Sequence, residues 1–417
     1  MSKIAQLNAS EILDSRGNPT LEVTCTLEDG SSGIASIPSG ASTGAHEALE
    51  LRDGDMSVHN GLGVSKAIEN IEEDIFAHLA GKDLDQTTLD EALIVLDGTD
   101  NKSRLGANAI LGVSLAFARA QAEEKEIPLY EYIGSLVGNT DFKLPQPMFN
   151  VINGGKHADS GLDIQEFMLA PTGFPTLREK VSAAEIVITK LKEILEEKGY
   201  TTNVGDEGGF APKLSHNEEA LDTLLEAIEG AGFTTEQIQL GIDSAASSFY
   251  MNGEYVLKCE DGEISKTTAD MISWYDGLLQ KYPIILIEDG LAEDDWDGFR
   301  ELTEKFGDTT KIVGDDLTVT NTKRIQMAID QGAINTVLIK LNQIGTLTET
   351  IQAVEMTKKE GWTPFVSHRS GETMDTFIAD LAVGLSCDFI KAGSLTRPER
   401  VAKYDRLMEI EDEISGK

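Results

Sequence analysis

The sequence predicts a small N-terminal α+β domain followed by a parallel (β/α) barrel, and three observations lead to this prediction. An early segment, Thr20 to Leu27, alternates apolar and polar residues, which is typical of half-buried strands. Later in the chain, short apolar strands recur and each ends in a charged residue or a histidine. The spacing of these later strands suits repeated units of one strand, one helix and their turns.

The N-terminal unit is expected to span residues 1–135 and to combine antiparallel strands with helices. Helical patterns follow the early strands, from Gly63 to Ala80 and from Asn108 to Glu124. The second pattern brings four apolar residues near one helix face: Ile110, Val113, Phe117 and Ala120. A chain of 417 residues is also long enough for two units of this kind.

The barrel is expected to span residues 136–417. Its clearest strands end at six polar residues, namely Asp243, Glu288, Asp315, Lys340, His368 and Lys391. The intervals between these residues are 45, 27, 25, 28 and 23, and all except the first fit one βα unit. Any single one of them could be a turn residue or a helix cap. Because C-terminal strand ends face the active site of such barrels, six in order predict one functional site.

The net charge, the apolar runs and the cysteines of the chain indicate which binding partners and which cellular compartment to expect. The chain carries 35 basic and 72 acidic residues, a net charge of −37, which disfavours nucleic acid and anionic membranes. No apolar run is long enough to span a membrane, and Met1 to Gly17 lacks the apolar segment of a signal peptide. The three cysteines, Cys25, Cys259 and Cys387, are far apart. We therefore expect a cytoplasmic protein without disulfides.

Three of the strand ends are carboxylates, and they predict a metal site. Asp243, Glu288 and Asp315 would repel one another if they converged without a cation. Oxygen ligands without histidine or cysteine favour a hard ion, Mg²⁺ first and Mn²⁺ second, with Ca²⁺ less suited to three carboxylates. A bound cation would also provide a positive field for an anionic substrate in this acidic chain.

Positively charged side chains lie at or just after the remaining strand ends. Lys340 or Lys391, placed beside a metal ion and another cation, would have a lowered pKa and could act as a general base. A salt bridge to a carboxylate is the alternative for either lysine. After the strand that ends at His368, Arg369 and Ser370 provide a planar fork and a hydroxyl that suit a phosphate, or else a structural ion pair.

Three glycine-containing loops contain further candidate site residues. Glu207 lies between glycines in 204–209, where confinement could raise the pKa of its carboxyl and make it a general acid. The same loop could be an acidic surface turn. Ser42 lies in the Gly/Ser loop 39–44, which reads equally well as a lid or a turn. His157 ends the loop 153–157 and could approach a substrate.

Taken together, these segments resemble the enolase family, most closely its bacterial type, from the N-terminus to about residue 412. The runs that carry the resemblance are SGASTG (39–44), ALELRDGD (48–55), GANAILGVSLA (106–116), NGGKHAD (153–159), QEFM (165–168), VGDEGG (204–209), ILIEDG (285–290), GDDLTVTN (314–321), IKLNQIGTLTET (339–350), SHRSGET (367–373) and AKYD (402–405). The resemblance implies an N-terminal α+β domain and a (β/α)8-like barrel whose start is irregular and partly antiparallel.

The resemblance also implies a reaction, the reversible dehydration of 2-phosphoglycerate to phosphoenolpyruvate with the help of magnesium. The substrate of this reaction is a phosphorylated three-carbon acid. It assigns Asp243, Glu288 and Asp315 to the first Mg²⁺ and Ser42 to the second. Lys340 matches the base that removes the C2 proton. The other catalytic positions match Glu207 as the acid, Glu166 as its support and His368 beside the leaving group.

Substrate contacts follow from the same resemblance. His157, Arg369 and Ser370 match residues near the phosphate, and Lys391 matches a contact to the carboxylate. The full set expected near substrate is His157, Arg369, Ser370, Lys391, Ser42, Glu166, Glu288 and Asp315.

The departures from the family pattern lie outside these positions. Met374 and Ser248 replace residues that are commonly glutamate, and Glu409 replaces an arginine. In the family that arginine pairs across the dimer interface with the glutamate that matches Glu22. The resemblance implies a homo-oligomer. In this chain the corresponding pair would be Glu–Glu, which is repulsive and argues against the family's usual dimer contact.

Three alternatives stay open on the sequence. A muconate-type relative would need a KxK motif where this chain has Val204-Gly-Asp-Glu. A paralogue acting on a phosphonate analogue of the substrate would keep the same residues. A non-catalytic binding protein would be expected to lose one of the catalytic positions, and all of them are present.

Overall fold

In a computed structural model that describes residues 1–40, 44–259 and 262–416, the chain begins with an α+β unit. Its antiparallel sheet has the order β1 (Ile4–Leu13), β2 (Pro19–Leu27) and β3 (Ser32–Ser36). Its helices are α1 (Ser65–Glu69), α2 (Phe76–Leu79), α3 (Gln86–Asp97), α4 (Ala107–Glu124) and α5 (Leu129–Val137). A π-helical segment, Asn70–Ile75, joins α1 to α2, so the predicted helix 63–80 forms with an irregular middle.

Helix α4 is the centre of this unit and is confirmed almost to the residue. The predicted face of Ile110, Val113, Phe117 and Ala120 is fully buried. Small residues let the helix approach the sheet closely, since a Cβ at Gly112 would lie 2.5 Å from the Val23 side chain. The helix is buried on its other sides as well, because it also packs against α3, α5 and the barrel side.

The rest of the chain supplies eleven strands within the described residues. They are β4 (Gln146–Asn153), β5 (Glu166–Ala170), β6 (Gln239–Asp243), β7 (Tyr250–Met251), β8 (Glu254–Cys259), β9 (Gly262–Lys266), β10 (Ile284–Glu288), β11 (Lys311–Gly314), β12 (Thr336–Ile339), β13 (Thr363–Ser367) and β14 (Phe389–Lys391). Eight of them close into a barrel in the order β4-β5-β6-β10-β11-β12-β13-β14. Strand β5 is antiparallel to both neighbours, and the other barrel pairs are parallel, as expected.

The helices around the barrel are α6 (Leu177–Glu197), α7 (Asn217–Gly230), α8 (Thr268–Lys281), α9 (Trp296–Phe306), α10 (Thr322–Gln331), α11 (Leu341–Ile344), α12 (Leu347–Lys359), α13 (Phe377–Gly384) and α14 (Pro398–Ser415). Large apolar side chains fill the barrel interior: Met148, Met168, Leu286, Val313, Leu338 and Phe365. The interior is therefore a packed core, and ligands are left with the strand ends.

The long first interval of the strand series has a structural cause. Strands β7, β8 and β9 form a separate three-stranded antiparallel sheet between β6 and α8. This insertion accounts for the 45 residues between Asp243 and Glu288. It was not predicted, because its alternation is short and several of its apolar residues, such as Met251 and Ile264, are exposed.

Two further expectations concern the chain as a whole. Within the described ranges, no helix combines the length and the apolar character needed to cross a lipid bilayer. The division into units 1–135 and 136–417 stays a proposal, and its boundary falls inside α5.

Candidate active site

Polar side chains converge at the C-terminal end of the barrel strands. Asp243, Glu288 and Lys391 end β6, β10 and β14, while Lys340 and His368 directly follow β12 and β13. The cavity at this end encloses about 410 Å³ of space that protein atoms do not fill, part of it open to solvent. Its lining is almost entirely polar and includes His157, Glu166, Glu207, Asp243, Asp315, Lys340, His368, Arg369, Ser370 and Lys391.

Lys391 organises one side of this cavity. Its Nζ lies 2.8 Å from Glu288 Oε1, 3.2 Å from both oxygens of Glu166 and 3.7 Å from Asp243 Oδ2. Burial lowers the pKa of the lysine, but the carboxylates of Glu166, Glu288 and Asp243 raise it well above its ordinary value. Lys391 is therefore held as a cation that balances part of the carboxylate charge.

Negative charge is still in excess around the ends of β10 and β11. Asp289, Asp315 and Asp316 place ligand oxygens within 4.8 Å of one another. Burial first, and then Asp316 and Asp315, raise the pKa of Asp289 well above its ordinary value. Burial and the neighbouring Asp315 raise the pKa of Asp316 to about 7. This buried acidic cluster is compatible with a divalent metal ion.

Glu288 gives a direct test of whether the residues fit a cation. Its Oε1 accepts from Lys391, but its buried Oε2 has no hydrogen-bond partner among the described residues. Burial, Asp243 and Asp315 together raise the pKa of this carboxyl well above its ordinary value. A buried acceptor without a donor, surrounded by other carboxylates, is an arrangement that a hard cation would satisfy.

Lys340 has one dominant partner. Its Nζ lies 2.5 Å from Asp315 Oδ2, and the other oxygen of Asp315 accepts from the Gln343 side chain at 2.9 Å. Burial lowers the pKa of Lys340, and Asp315 raises it more, so the net direction is upward. The protein groups alone thus oppose the lowered pKa that the sequence suggested for Lys340.

A second group of titratable residues lies on the side of β5 and the 204–209 loop. Glu207 Oε2 is 3.3 Å from His368 Nε2 and accepts from Asn150 Nδ2 at 2.8 Å. Glu207 Oε1 is 3.6 Å from His157 Nδ1, which in turn is 3.7 Å from Glu166 Oε1. The structure therefore brings Glu207 together with Glu166 and His368, which the resemblance placed beside it, and with His157, which the resemblance placed near the phosphate.

The protonation states of the two glutamates differ from the expectation. Burial alone would raise the pKa of Glu207. Interactions with His157, His368 and Arg400 lower it by more than burial raises it, so the net pKa lies well below its ordinary value. Burial and the charge of Glu207 raise the pKa of Glu166 well above its ordinary value. These neighbours outweigh burial, so the raised pKa that confinement between glycines predicted for Glu207 is not obtained.

Models of known families match the chain in two parts. Residues 4–133 match the model described as "Enolase, N-terminal domain", and residues 141–417 match "Enolase, C-terminal TIM barrel domain". The chain belongs to the enolase family. Both domain models cover nearly the whole chain in the order of the observed units, so the enolase domains support a lyase of the enolase superfamily.

The loop that follows β13 provides the arginine expected for phosphate in this enolase-family chain. Arg369 contacts both oxygens of Glu47, at 3.0 and 3.1 Å, and donates to Asn342 Oδ1 at 2.7 Å. Ser370 lines the same cavity. Ser42 falls in 41–43, outside the described residues.

Several site residues of this enolase-family chain were missed by sequence reasoning. Gln165 donates to Asp243, Asn150 donates to Glu207, and Glu47 holds Arg369. Asn150 lies inside β4, Gln165 precedes β5 and Glu47 belongs to the N-terminal unit. A search for polar residues at the C-terminal ends of strands therefore does not find them. Asp289 and Asp316 could have been found, because each directly follows a predicted strand-end carboxylate.

The three departures from the enolase pattern lie away from the cavity. Met374 is 60% exposed and Ser248 is exposed on the surface near the β7–β9 sheet. Glu409 is exposed and lies 3.3 Å from Arg406. None of the three lines the cavity at the strand ends.

Proposed function

We propose that this chain is an enolase of the bacterial type that interconverts 2-phosphoglycerate and phosphoenolpyruvate. The observation that carries the proposal is that a lysine and two adjacent glutamates line one cavity. Lys340 and the Glu166–Glu207 pair line it together with Asp243 and Asp315. A base, an acid and a cation site in one cavity are the parts that a proton abstraction followed by loss of hydroxide requires.

We assign the base to Lys340. It follows β12 directly and is half-buried, and its charge depends mainly on one carboxylate, Asp315. A cation held by Asp315 would weaken the field that keeps Lys340 protonated, and the neutral amine of Lys340 is the group that we assign to removal of the C2 proton. Lys391 is unsuited to this role because Glu166, Glu288 and Asp243 all stabilise its charge.

We assign the acid to Glu207 acting with Glu166. The surrounding groups favour a proton on Glu166 and a charge on Glu207, and His157 lies between the two at 3.6–3.7 Å. The pair can therefore hold one proton and deliver it toward a departing C3 hydroxyl, while His368 donates to Glu207 from the other side.

Substrate anions would be bound by the cationic and hydrogen-bonding side chains that line the cavity. Arg369 and Ser370 would hold the phosphate with His157, and Lys391 would contact the carboxylate. Arg369 is preorganised by Glu47 and Asn342, which fix its planar guanidinium in one orientation. The phosphate would compete with Glu47 for this guanidinium.

The proposed metal ligands are Asp243, Glu288 and Asp315 for a first Mg²⁺ and Ser42 for a second, with Mn²⁺ as a substitute. The unpartnered Oε2 of Glu288 is the observation that favours this site. When bound, the ions would stabilise the negative charge that develops on the substrate carboxylate. Magnesium also suits the all-oxygen character of these ligands.

We propose that the enzyme acts in the cytoplasm, in glycolysis and gluconeogenesis, on a small phosphorylated acid and without nucleic-acid partners. A homo-oligomer would have to form without the family's Glu–Arg contact, because Glu409 is acidic and Glu22 is already bonded to Ser36 Oγ at 2.9 Å.

The direct test follows the ultraviolet absorbance of phosphoenolpyruvate in purified protein mixed with 2-phosphoglycerate. We expect absorbance to rise with Mg²⁺ and to stop rising on addition of EDTA. A folded protein that gives no rise would contradict the proposal. A rise only with a phosphonate analogue would indicate a paralogue, and no reaction with either compound would indicate a binding protein.

A further inference from the structure

Arg400 is a fully buried cation that the proposed reaction does not use. It lies in the first turns of α14 and none of its surface is exposed. Its NH1 lies 2.7 Å from His368 Nδ1 and donates to Arg369 O at 2.6 Å. Its NH2 donates to Ser370 O at 2.6 Å and to Asp206 O at 3.1 Å. One guanidinium thus contacts both the loop after β13 and the 204–209 loop.

The contact with His368 restricts how the imidazole can be protonated. A guanidinium has only hydrogen-bond donors, so an Nδ1 at 2.7 Å from it must accept. The neutral ring then carries its proton on Nε2, which lies 3.3 Å from Glu207 Oε2. A doubly protonated ring would place two donors and two positive charges against each other.

We propose that Arg400 is a positioning residue that fixes His368 as the neutral Nε2–H tautomer, so that His368 donates to Glu207. The proposal deepens the proposed function, on which it rests, because it says how the acid side of the cavity keeps a defined hydrogen-bond donor. Arg400 acts through His368 and through the backbone of two loops, without touching substrate.

The charges around His368 agree with this assignment. Burial is the largest influence and lowers the pKa of His368 to about 4, and Arg400 acts in the same direction. The carboxylates of Glu207 and Glu372 act in the opposite direction and do not prevail. His368 is therefore neutral at neutral pH. A neutral donor stabilises the charge of Glu207 without adding a cation to the cavity.

The same contacts explain why an arginine suits this position. The fork of the guanidinium reaches the carbonyls of Arg369 and Ser370 while NH1 also faces the imidazole. Lysine at the same place would have three donors on one nitrogen and could keep only part of this set. Space is also restricted, because a Cβ at Gly393 would lie 2.9 Å from Arg400 Cδ.

The first experiment uses the unmodified protein without substrate. Nitrogen-15 spectra of histidine-labelled protein distinguish protonated from unprotonated ring nitrogens, and His368→Asn assigns the signal among six histidines. We expect an unprotonated Nδ1 and a protonated Nε2 for His368 at neutral pH. A protonated Nδ1 would overturn the proposal whether or not the protein dehydrates 2-phosphoglycerate.

Variants of Arg400 then test whether this residue is what fixes the tautomer of His368. Arg400→Gln replaces the obligatory donor with an amide that can also accept, whereas Arg400→Lys retains a charged donor. Arg397→Gln is the matched control, since Arg397 donates to Gly205 O in the same loop at 3.1 Å but is not a partner of His368. We expect a mixed His368 tautomer in Arg400→Gln only, with partial retention of the single tautomer in Arg400→Lys.

Activity should follow the tautomer. We expect kcat for dehydration to fall about 10- to 100-fold in Arg400→Gln, the range for residues that orient a functional histidine in metal sites. The fall should be smaller in Arg400→Lys. An Arg400→Gln protein that keeps both the tautomer and the rate would contradict the proposal. If that variant does not fold, the spectrum of the unmodified protein still decides.

Discussion

Two lysines at the ends of barrel strands, Lys340 after β12 and Lys391 in β14, differ in how their charge is held. Lys391 contacts carboxylates from three strands, whereas the shortest contact of Lys340 is to Asp315 alone. A single change at Asp315 therefore alters the charge of Lys340 far more than any single change alters Lys391. This difference is the physical reason to assign proton abstraction to one lysine and substrate binding to the other.

A residue-scale prediction concerns the unpartnered oxygen of Glu288. Glu288→Gln would replace an anionic ligand by a neutral amide, so we expect Mg²⁺ affinity to fall at least tenfold, measured by isothermal titration calorimetry. Glu301→Gln on the exposed face of α9 is the control and should leave the affinity unchanged. Equal affinities in the two variants would remove Glu288 from the metal site.

At the scale of elements, helix α4 is fastened to the loop after β13. Arg119 of α4 donates to both oxygens of Asp375, which also accepts from Ser36 N of β3 at 2.9 Å. Burial would raise the pKa of Asp375, but Arg119 and these hydrogen bonds lower it below its ordinary value. The loop that carries Arg369 and Ser370 is thus held at its far end by an ion pair between the two units.

The ion pair gives an element-scale prediction with a definite sign. Because the folded pKa of Asp375 is depressed, its contribution is present above the unfolded pKa and is lost as pH falls through the folded value. We expect Asp375→Asn to destabilise the protein by about 3 kcal/mol at neutral pH, and by less below about pH 4. Urea unfolding at both pH values measures this.

The matched control for the ion pair is Asp297→Asn. Asp297 pairs with Arg300 on the surface of α9, where such a pair contributes at most about 1 kcal/mol. A cost for Asp375→Asn no larger than this control, or one that does not diminish in acid, would contradict the structural role of the pair.

Elements were predictable where burial and periodicity agreed. The strands that end at Asp243, Glu288, Asp315, Lys340 and Lys391 are fully or nearly fully buried, and their continuous apolar runs located them to within a residue or two. Strands β4 and β5 were expected only from the family resemblance, and the β7–β9 sheet was not expected at all. Exposed hairpins lack the apolar runs on which such predictions depend.

For the whole molecule, the site is completed at the contact between the two units. Ser39 and Gly371 form a β-bridge, with Ser39 N bonded to Gly371 O at 2.7 Å and Gly371 N bonded to Ser39 O at 2.9 Å. Glu47 of the N-terminal unit also holds Arg369 of the barrel. The N-terminal unit therefore positions residues that line the cavity as well as covering the barrel.

This contact leads to a prediction about Gly371. An added Cβ would lie 2.4 Å from Ser39 Oγ and 2.5 Å from Asp14 Oδ2, so Gly371→Ala must separate the two segments. We expect kcat/KM to fall at least tenfold, because Arg369 and Ser370 are displaced together. Gly277→Ala in α8 is the control, since no atom lies within 4 Å of its Cβ. Equal activity in both variants would show that the contact is dispensable.

Much of the site was predictable for the same reason as the barrel: strand-end chemistry survives in the sequence. What could not be predicted is charge balance, which depends on distances between residues that are remote in the chain. The pKa of Glu207 is set by His157, His368 and Arg400, and that of Lys340 by Asp315. Neither direction can be obtained from the spacing of residues along the chain.

The central claim, that Lys340 removes the C2 proton of 2-phosphoglycerate, is tested most directly by hydrogen exchange at C2 in deuterated water with Mg²⁺. We expect exchange with the unmodified protein and with Lys311→Ala, which alters the opposite end of β11. Lys340→Ala should show none while calorimetry still detects binding of metal and substrate. Exchange that persists in Lys340→Ala would contradict the assignment of the base.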